Sequence, residues 1–243
     1  IFYNALLFFS SRKITYLYYV GYTFISTLAV SAIIGTGQQH LWPNQPWFNN
    51  KGLIFLKAFS YLFMIFFFNK ALRLKLESPR LFKITSIWLI IWGLMVIMSC
   101  IYPFYITGKI YVLLVLIFYP MIIFIIFYRL RIKEYMSTKM LGLGVMSTLI
   151  GNIIVNLTVT GILPSNILTR NSTLIGLIFE YLFLSLSLVQ QQKESIDSIL
   201  DNLQDEIQLR TKELRNSNDA LKKSQDDKSF FFAKLSHELR TPL

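Results

Sequence analysis

Two kinds of sequence follow one another along this chain. Up to residue 189, apolar runs alternate with short polar loops, and from Gln190 onward the chain is polar. A bilayer-spanning helix needs about 20 mostly apolar residues, and none of the runs alternates as a barrel strand does. The runs therefore predict seven helical spans, of which the first is incomplete: Ile1–Phe9, Ile14–Ile34, Gly52–Phe68, Ile84–Ile106, Ile110–Tyr128, Met140–Thr160 and Thr173–Val189.

The polar part carries a heptad pattern. From Gln190 to Asp227 no Pro or Gly interrupts it, and apolar residues recur at two positions of each heptad. This pattern predicts a two-stranded parallel coiled coil, although one long solvated helix without a partner is the alternative. The first row is Leu200, Ile207, Leu214, Leu221 and Leu235, and the second is Ile196, Leu203 and Phe231, interrupted by Arg210, Ser217 and Ser224.

The predicted fold class is an all-α membrane protein, in which a seven-helix bundle leads through a dimeric coil into a helix with a histidine. The membrane sensor domain covers residues 1–189, the signalling coil covers 190–229, and the last domain begins at 230–243. The polar positions in the second row should weaken the coil. A marginally stable coil suits signal transmission, because a ligand can shift the equilibrium between two packings only when their free energies differ by a few kcal/mol.

Composition supports the membrane assignment. The chain is 54% hydrophobic and only 15% charged, against about a quarter charged in soluble domains. The net charge of +11 could indicate nucleic acid, but the basic residues lie in loops between apolar runs, so no nucleic-acid partner is expected. Cys100 is the single cysteine, and His40 and His237 are far apart in sequence, so we expect neither a disulfide nor a metal site.

The basic loops predict the orientation of the bundle. Basic residues favour the cytoplasmic side, which places the C-terminus there and the Trp- and Pro-rich loop Gly35–Asn50 outside. That loop either anchors at the interface among membrane lipids or contacts an outer ligand or sensing domain. The basic residues of the cytoplasmic set are Arg12, Lys13, Lys70, Arg73, Lys75, Arg80, Lys83, Arg129, Arg131, Lys133 and Lys139, against Lys51, Lys57, Lys109 and Arg170 for the other set.

The last residues carry the chemistry. In the heptad frame His237 occupies an outward position, where a neutral imidazole nitrogen can attack phosphorus. Glu238 could take the proton from the ring or orient it. Thr241 follows His237 by four residues and so shares its helical face, and Pro242 should bend the helix beside the histidine.

The segment Phe230–Leu243 resembles the phospho-acceptor box of sensor histidine kinases, including hybrid members. The resemblance implies a homodimer that is autophosphorylated on His237 from ATP and passes phosphate to an aspartate of a response regulator or receiver domain. It also implies that Thr241 helps place the water that dephosphorylates the regulator. No cofactor site is expected in these residues, because ATP and Mg²⁺ would be bound by a further domain. The alternatives are a non-catalytic receptor or phosphotransfer adaptor phosphorylated by another kinase, and a transporter, against which the long coil argues.

The membrane part resembles the bacterial seven-transmembrane receptors with diverse intracellular signalling modules. The resemblance implies a multi-pass protein of the inner membrane, with an outer domain before the first span. It rests on these segments: Tyr3-Asn4, Phe8-Phe9-Ser10-Ser11-Arg12, Tyr16-Leu17-Tyr18-Tyr19, Leu41-Trp42-Pro43, Asn49-Asn50, and Glu180 with Leu184-Ser185-Leu186-Ser187-Leu188.

One acidic residue lies inside a predicted span. A carboxylate at this depth is costly and usually faces the bundle interior. We expect Glu180 and Lys57 to approach each other, or to share a polar cluster with Asn156 in the outer half of the bundle. Such a cluster is either a ligand or proton switch or a structural device that fixes helix packing.

Overall fold

The computed structural model describes residues 2–132, 135–159 and 161–238, and every regular element in these ranges is helical. A single π-helical turn, Gly37–Leu41, follows the second helix. The helices are α1 (Phe2–Ser11), α2 (Ile14–Ile34), α3 (Pro46–Ala71), α4 (Leu74–Glu77), α5 (Pro79–Ile101), α6 (Phe104–Ile132), α7 (Met136–Val159), α8 (Ile167–Arg170) and α9 (Ser172–Glu238).

Six of the described helices are long and apolar enough to cross a membrane, namely α2, α3, α5, α6, α7 and the first part of α9. This confirms the all-α membrane fold. The helix α1 lies where the incomplete first span was predicted, and it has 10 residues.

The boundary between the predicted fourth and fifth spans was wrong. The fourth span was predicted to end at Ile106 and the fifth to begin at Ile110, whereas α5 ends at Ile101 and α6 begins at Phe104. Pro103 is the cause, because the ring of a proline disfavours the helical conformation of the residue before it. Tyr102 is accordingly extended, with φ −84° and ψ 156°, and Gly108 lies inside α6.

The chain divides into two compact units, of which the first ends at Gln192. The second unit contains the rest of α9. Its apolar side chains at the predicted seam, such as Leu200, Leu203 and Ile207, are exposed. The helix expected between residues 190 and 229 is therefore present, and its dimerisation stays a prediction.

An aromatic cluster fills the first unit where α3, α5 and α6 meet. The ring of Trp92 is fully buried and lies 4.5 Å from that of Tyr61 and 5.6 Å from that of Phe118. Aromatic pairs at such distances stabilise beyond the area they bury.

Helices α7 and α9 approach each other through glycines. A Cβ atom on Gly151 would come within 2.4 Å of the carbonyl oxygen of Ser172, and one on Gly176 within 2.6 Å of that of Ser147. Two hydroxyl groups form hydrogen bonds between the helices at this close contact. Ser172 Oγ donates to Gly151 O at 2.9 Å, and Ser147 Oγ donates to Gly176 O at 3.0 Å. Small residues and interhelical hydrogen bonds are what bring helices together in lipid, where apolar burial gives no driving force.

A glycine substitution tests this packing. We expect Gly176→Ala to lower the thermal midpoint of the detergent-solubilised protein by several degrees, because a backbone clash leaves the helices no alternative but to separate. Gly93→Ala is the matched control, since no atom lies within 4 Å of its added Cβ and alanine favours a helix by about 1 kcal/mol over glycine. Equal midpoints for the two variants would contradict the close packing.

Candidate functional site

Glu180 is enclosed in the interior of the first unit, with 0% of its surface exposed. Its carboxylate links three helices. Oε1 accepts a hydrogen bond from the Tyr22 hydroxyl of α2 at 2.9 Å, and Oε2 accepts one from the Thr148 hydroxyl of α7 at 2.5 Å. A buried carboxylate is tolerated when hydrogen-bond donors replace the water it has lost, so the two hydroxyl groups fix the position of α9 against α2 and α7.

A row of tyrosines on α2 binds α9 between Glu180 and Gln192. Tyr16, Tyr19 and Tyr22, which we call the tyrosine row, are spaced three residues apart and are all buried. Tyr19 donates its hydroxyl to the carbonyl oxygen of Tyr181 at 2.8 Å, and Tyr16 donates to Gln192 Oε1 at 3.1 Å. Sequence reasoning missed this row, although three hydroxyl groups at helical spacing inside an apolar span were a visible signal.

A further hydroxyl contact reinforces the same helix pair. Ser26, one turn beyond the tyrosine row on α2, is hydrogen-bonded to the hydroxyl of Tyr181. Near the start of the chain, Asn4 Nδ2 donates to Ser185 Oγ at 2.8 Å. The α9 helix is therefore held by polar contacts at several levels between Glu180 and Gln192.

Lys57 lies within electrostatic reach of Glu180. The half-buried lysine of α3 interacts favourably with the carboxylate through space, but the ion pairs of the described chain do not include these two residues. The structure therefore brings the two side chains near each other without a described ion pair, and the hydrogen bonds to Glu180 come from hydroxyl groups instead.

Asn156 does not share the cluster, so of the two predicted arrangements the one that includes Asn156 is not observed. Its side chain is exposed, and Nδ2 donates to the carbonyl oxygen of Asn152 in the same helix at 2.8 Å. Thr148, which does bind Glu180, lies eight residues earlier and close to the middle of α7, about 12 Å along the helix axis at 1.5 Å per residue. The site is therefore near mid-bundle and not in its outer half.

Two polar contacts lie near the predicted cytoplasmic loops. Gln191 Nε2 donates to the carbonyl oxygen of Ala71, the last residue of α3, at 2.6 Å. Arg129 of α6 is buried and forms an ion pair with Glu77 of α4 at 2.5 Å. Arg129 was predicted as a loop cation, but the buried pair secures the α4 segment to α6.

An open cleft of about 720 Å³ lies at the other end of the unit. Trp42 and Phe48 stack there with ring centroids 5.4 Å apart, and Asn49 and Asn50 add polar groups to the wall. Lys51 borders the cleft and donates to the carbonyl oxygen of Cys100 at 2.8 Å, at the end of α5. Its volume falls within the range of small-molecule sites.

The phospho-acceptor segment is described in part. The α9 helix includes the backbone of His237 and Glu238, while Thr241 and Pro242 lie outside the described residues. The roles assigned to these four residues stay predictions. In the described ranges no three His, Cys, Asp or Glu side chains are grouped so that they could hold a metal ion.

Comparison with known proteins gives one match. A family model described as 7TM diverse intracellular signalling matches residues 1–191. No curated protein and no solved structure matches the chain.

The bond between Tyr22 and Glu180 can be measured with a double-mutant cycle. We expect Tyr22→Phe to destabilise the solubilised protein by about 1–3 kcal/mol, since it leaves a buried carboxylate oxygen without a donor. The loss should shrink in a Glu180→Leu background, where no carboxylate remains. Tyr18→Phe, on the same helix but stacked on Phe66, is the control, and a Tyr22→Phe loss that is the same in both backgrounds would argue against the bond.

Proposed function

Because the chain belongs to the family of seven-transmembrane receptors with diverse intracellular signalling modules, we propose that it is the sensing part of a two-component histidine kinase. Membership of this family identifies the protein as a multi-pass membrane sensor. The proposal adds that a signal received in the membrane unit controls phosphorylation of His237, and that the phosphate then passes to an aspartate of a response regulator. The protein would act as a homodimer in the bacterial inner membrane, with its C-terminus in the cytoplasm.

One observation carries the proposal: α9 contains both Glu180 and His237. It runs from Ser172 to Glu238 with no break. Inside the bundle its position depends on hydrogen bonds from α2 and α7, so a ligand that changes the packing of those helices changes the environment of α9. A shift needs only a few kcal/mol of preference for one arrangement.

The chemical step uses few groups of this chain. A neutral ring nitrogen of His237 attacks the γ-phosphorus of ATP, the bond from that phosphorus to the bridging oxygen breaks, and ADP leaves. Glu238 takes the proton from the ring or holds the ring in place. ATP and Mg²⁺ would be held by a separate nucleotide-binding domain, as the resemblance to sensor histidine kinases implies. Thr241 would later place the water that dephosphorylates the regulator.

The outer cleft is the proposed place for a stimulus. It has room for a small molecule, and its aromatic and amide groups offer both an apolar surface and hydrogen bonds. Lys51 joins its wall to the end of α5, so a ligand bound there would contact two helices whose packing it could alter.

The second candidate function is a membrane receptor or adaptor that is phosphorylated on His237 by another kinase. Labelling of the purified full-length protein alone distinguishes the two, because an adaptor takes up phosphate only when the other kinase is added.

We expect the full-length protein to become labelled by γ-³²P-ATP, with an acid-labile and base-stable bond, and the His237→Gln variant to lose more than nine-tenths of the label. His40→Gln is the control, since His40 lies in the π-helical turn beside the outer loop and should keep its label. Label that persists in His237→Gln would reject the assignment of the phosphorylated residue.

A further inference from the structure

Helix α9 has an exposed apolar stripe within the membrane unit. Between residues 175 and 189 its exposed large side chains include five that lie on one side, with 37–55% of their surface accessible: Ile175, Phe179, Leu182, Leu186 and Val189. The opposite side of the helix packs into the bundle through Leu177, Glu180, Leu184, Ser187 and Leu188, all of which are buried. Lipid-facing apolar side chains are ordinary in a membrane protein, so the exposure alone decides nothing.

The phase of the stripe is the informative feature. When the heptad frame of Leu200 (position a) and Leu203 (position d) is counted back along the sequence, Phe179 and Leu186 fall at a. Ile175, Leu182 and Val189 fall at d, so every a and d position from 175 to 189 is an exposed apolar residue.

The buried side of the helix fits the same frame. Glu180, Leu184 and Leu188 occupy positions b, f and c, which face away from the seam of a coiled coil. The bundle could have packed against any side of α9. It takes the side that leaves the predicted dimer seam uncovered, although Ile178, at position g, is exposed as well.

We propose that α9 packs along the α9 of a second copy of this chain through the stripe Ile175–Val189, so that the dimer seam begins inside the membrane. The inference rests on the dimeric coil of the proposed function and extends it. Between Ile175 and Ile207, only Lys193 places a charge at an a or d position. A charged a position costs stability and helps to set register.

A groove beside the stripe gives the partner helix a place to pack. It has a volume of about 390 Å³, with Ile175 and Phe179 on one side and Ile150 and Ile154 of α7 on the other. Gly151 and Gly176 line it as well. Helices associate in lipid by close van der Waals packing at small residues, and a groove of this kind can receive large side chains from a partner.

Disulfide cross-linking in membranes tests the inference. In full-length protein with Cys100→Ser, we expect Leu182→Cys and Leu186→Cys to form covalent dimers on mild oxidation, at least fivefold faster than Ile90→Cys. Ile90 is the matched control, because it is 65% exposed and lies at the middle of α5. Leu200 lies in the predicted signalling coil, so cross-linking of Leu200→Cys tests the dimerisation of that coil alone.

Each outcome decides the question. Cross-links at both Leu182→Cys and Leu200→Cys, with little at Ile90→Cys, support the seam in the membrane. A cross-link at Leu200→Cys but none at Leu182→Cys or Leu186→Cys overturns the seam in the membrane and leaves the coil intact. This is also the result expected if a lipid chain occupies the groove. Equal rates at Leu182→Cys and Ile90→Cys indicate random collision and also overturn it. No cross-link at any position removes the dimeric premise, while the labelling of His237 tests the phosphorylation separately.

Discussion

A carboxylate inside a lipid-embedded bundle must be given hydrogen-bond donors, and Glu180 receives them from two neighbouring helices. Tyr22 and Thr148 each donate to one of its oxygens. Without them the buried charge would cost several kcal/mol, so the rotation of α9 about its axis is set by where these hydroxyl groups lie. The tyrosine row and the glycine contacts with α7 fix the same rotation independently.

That rotation decides what the other side of α9 can do. With Glu180 turned inward, the stripe from Ile175 to Val189 is left facing outward, in phase with the heptads that follow in the sequence. The hydrogen bonds from Gln191 to Ala71 and from Tyr16 to Gln192 then hold the helix where the apolar run ends. One side of the helix packs into the bundle and the other is exposed, which is the arrangement that the proposed dimeric receptor requires.

The sequence predicted the helices better than it predicted their contacts. Apolar runs of about 20 residues identify spans because lipid leaves few alternatives for the backbone, and α2 has the predicted bounds. Pro103 was visible, but the apolar run through Ile106 concealed its effect. Glu180 was recognised as an interior residue, yet its donors Tyr22 and Thr148 were not, because hydroxyl groups are common in spans and only helix rotation selects which of them meet. Asn156 was chosen by depth alone, and depth does not specify the face of a helix.

In the proposed mechanism the position of α9 inside the bundle controls the reactivity of His237. The most direct measurement is the initial rate of His237 phosphorylation in membranes for the wild type, Glu180→Gln, Tyr22→Phe and the double variant. Coupling predicts that both single variants change the rate in the same direction, by threefold or more, and that the double variant adds little to the larger effect. Unchanged rates in variants that fold and insert normally would contradict the claim, because the buried carboxylate would then serve packing alone.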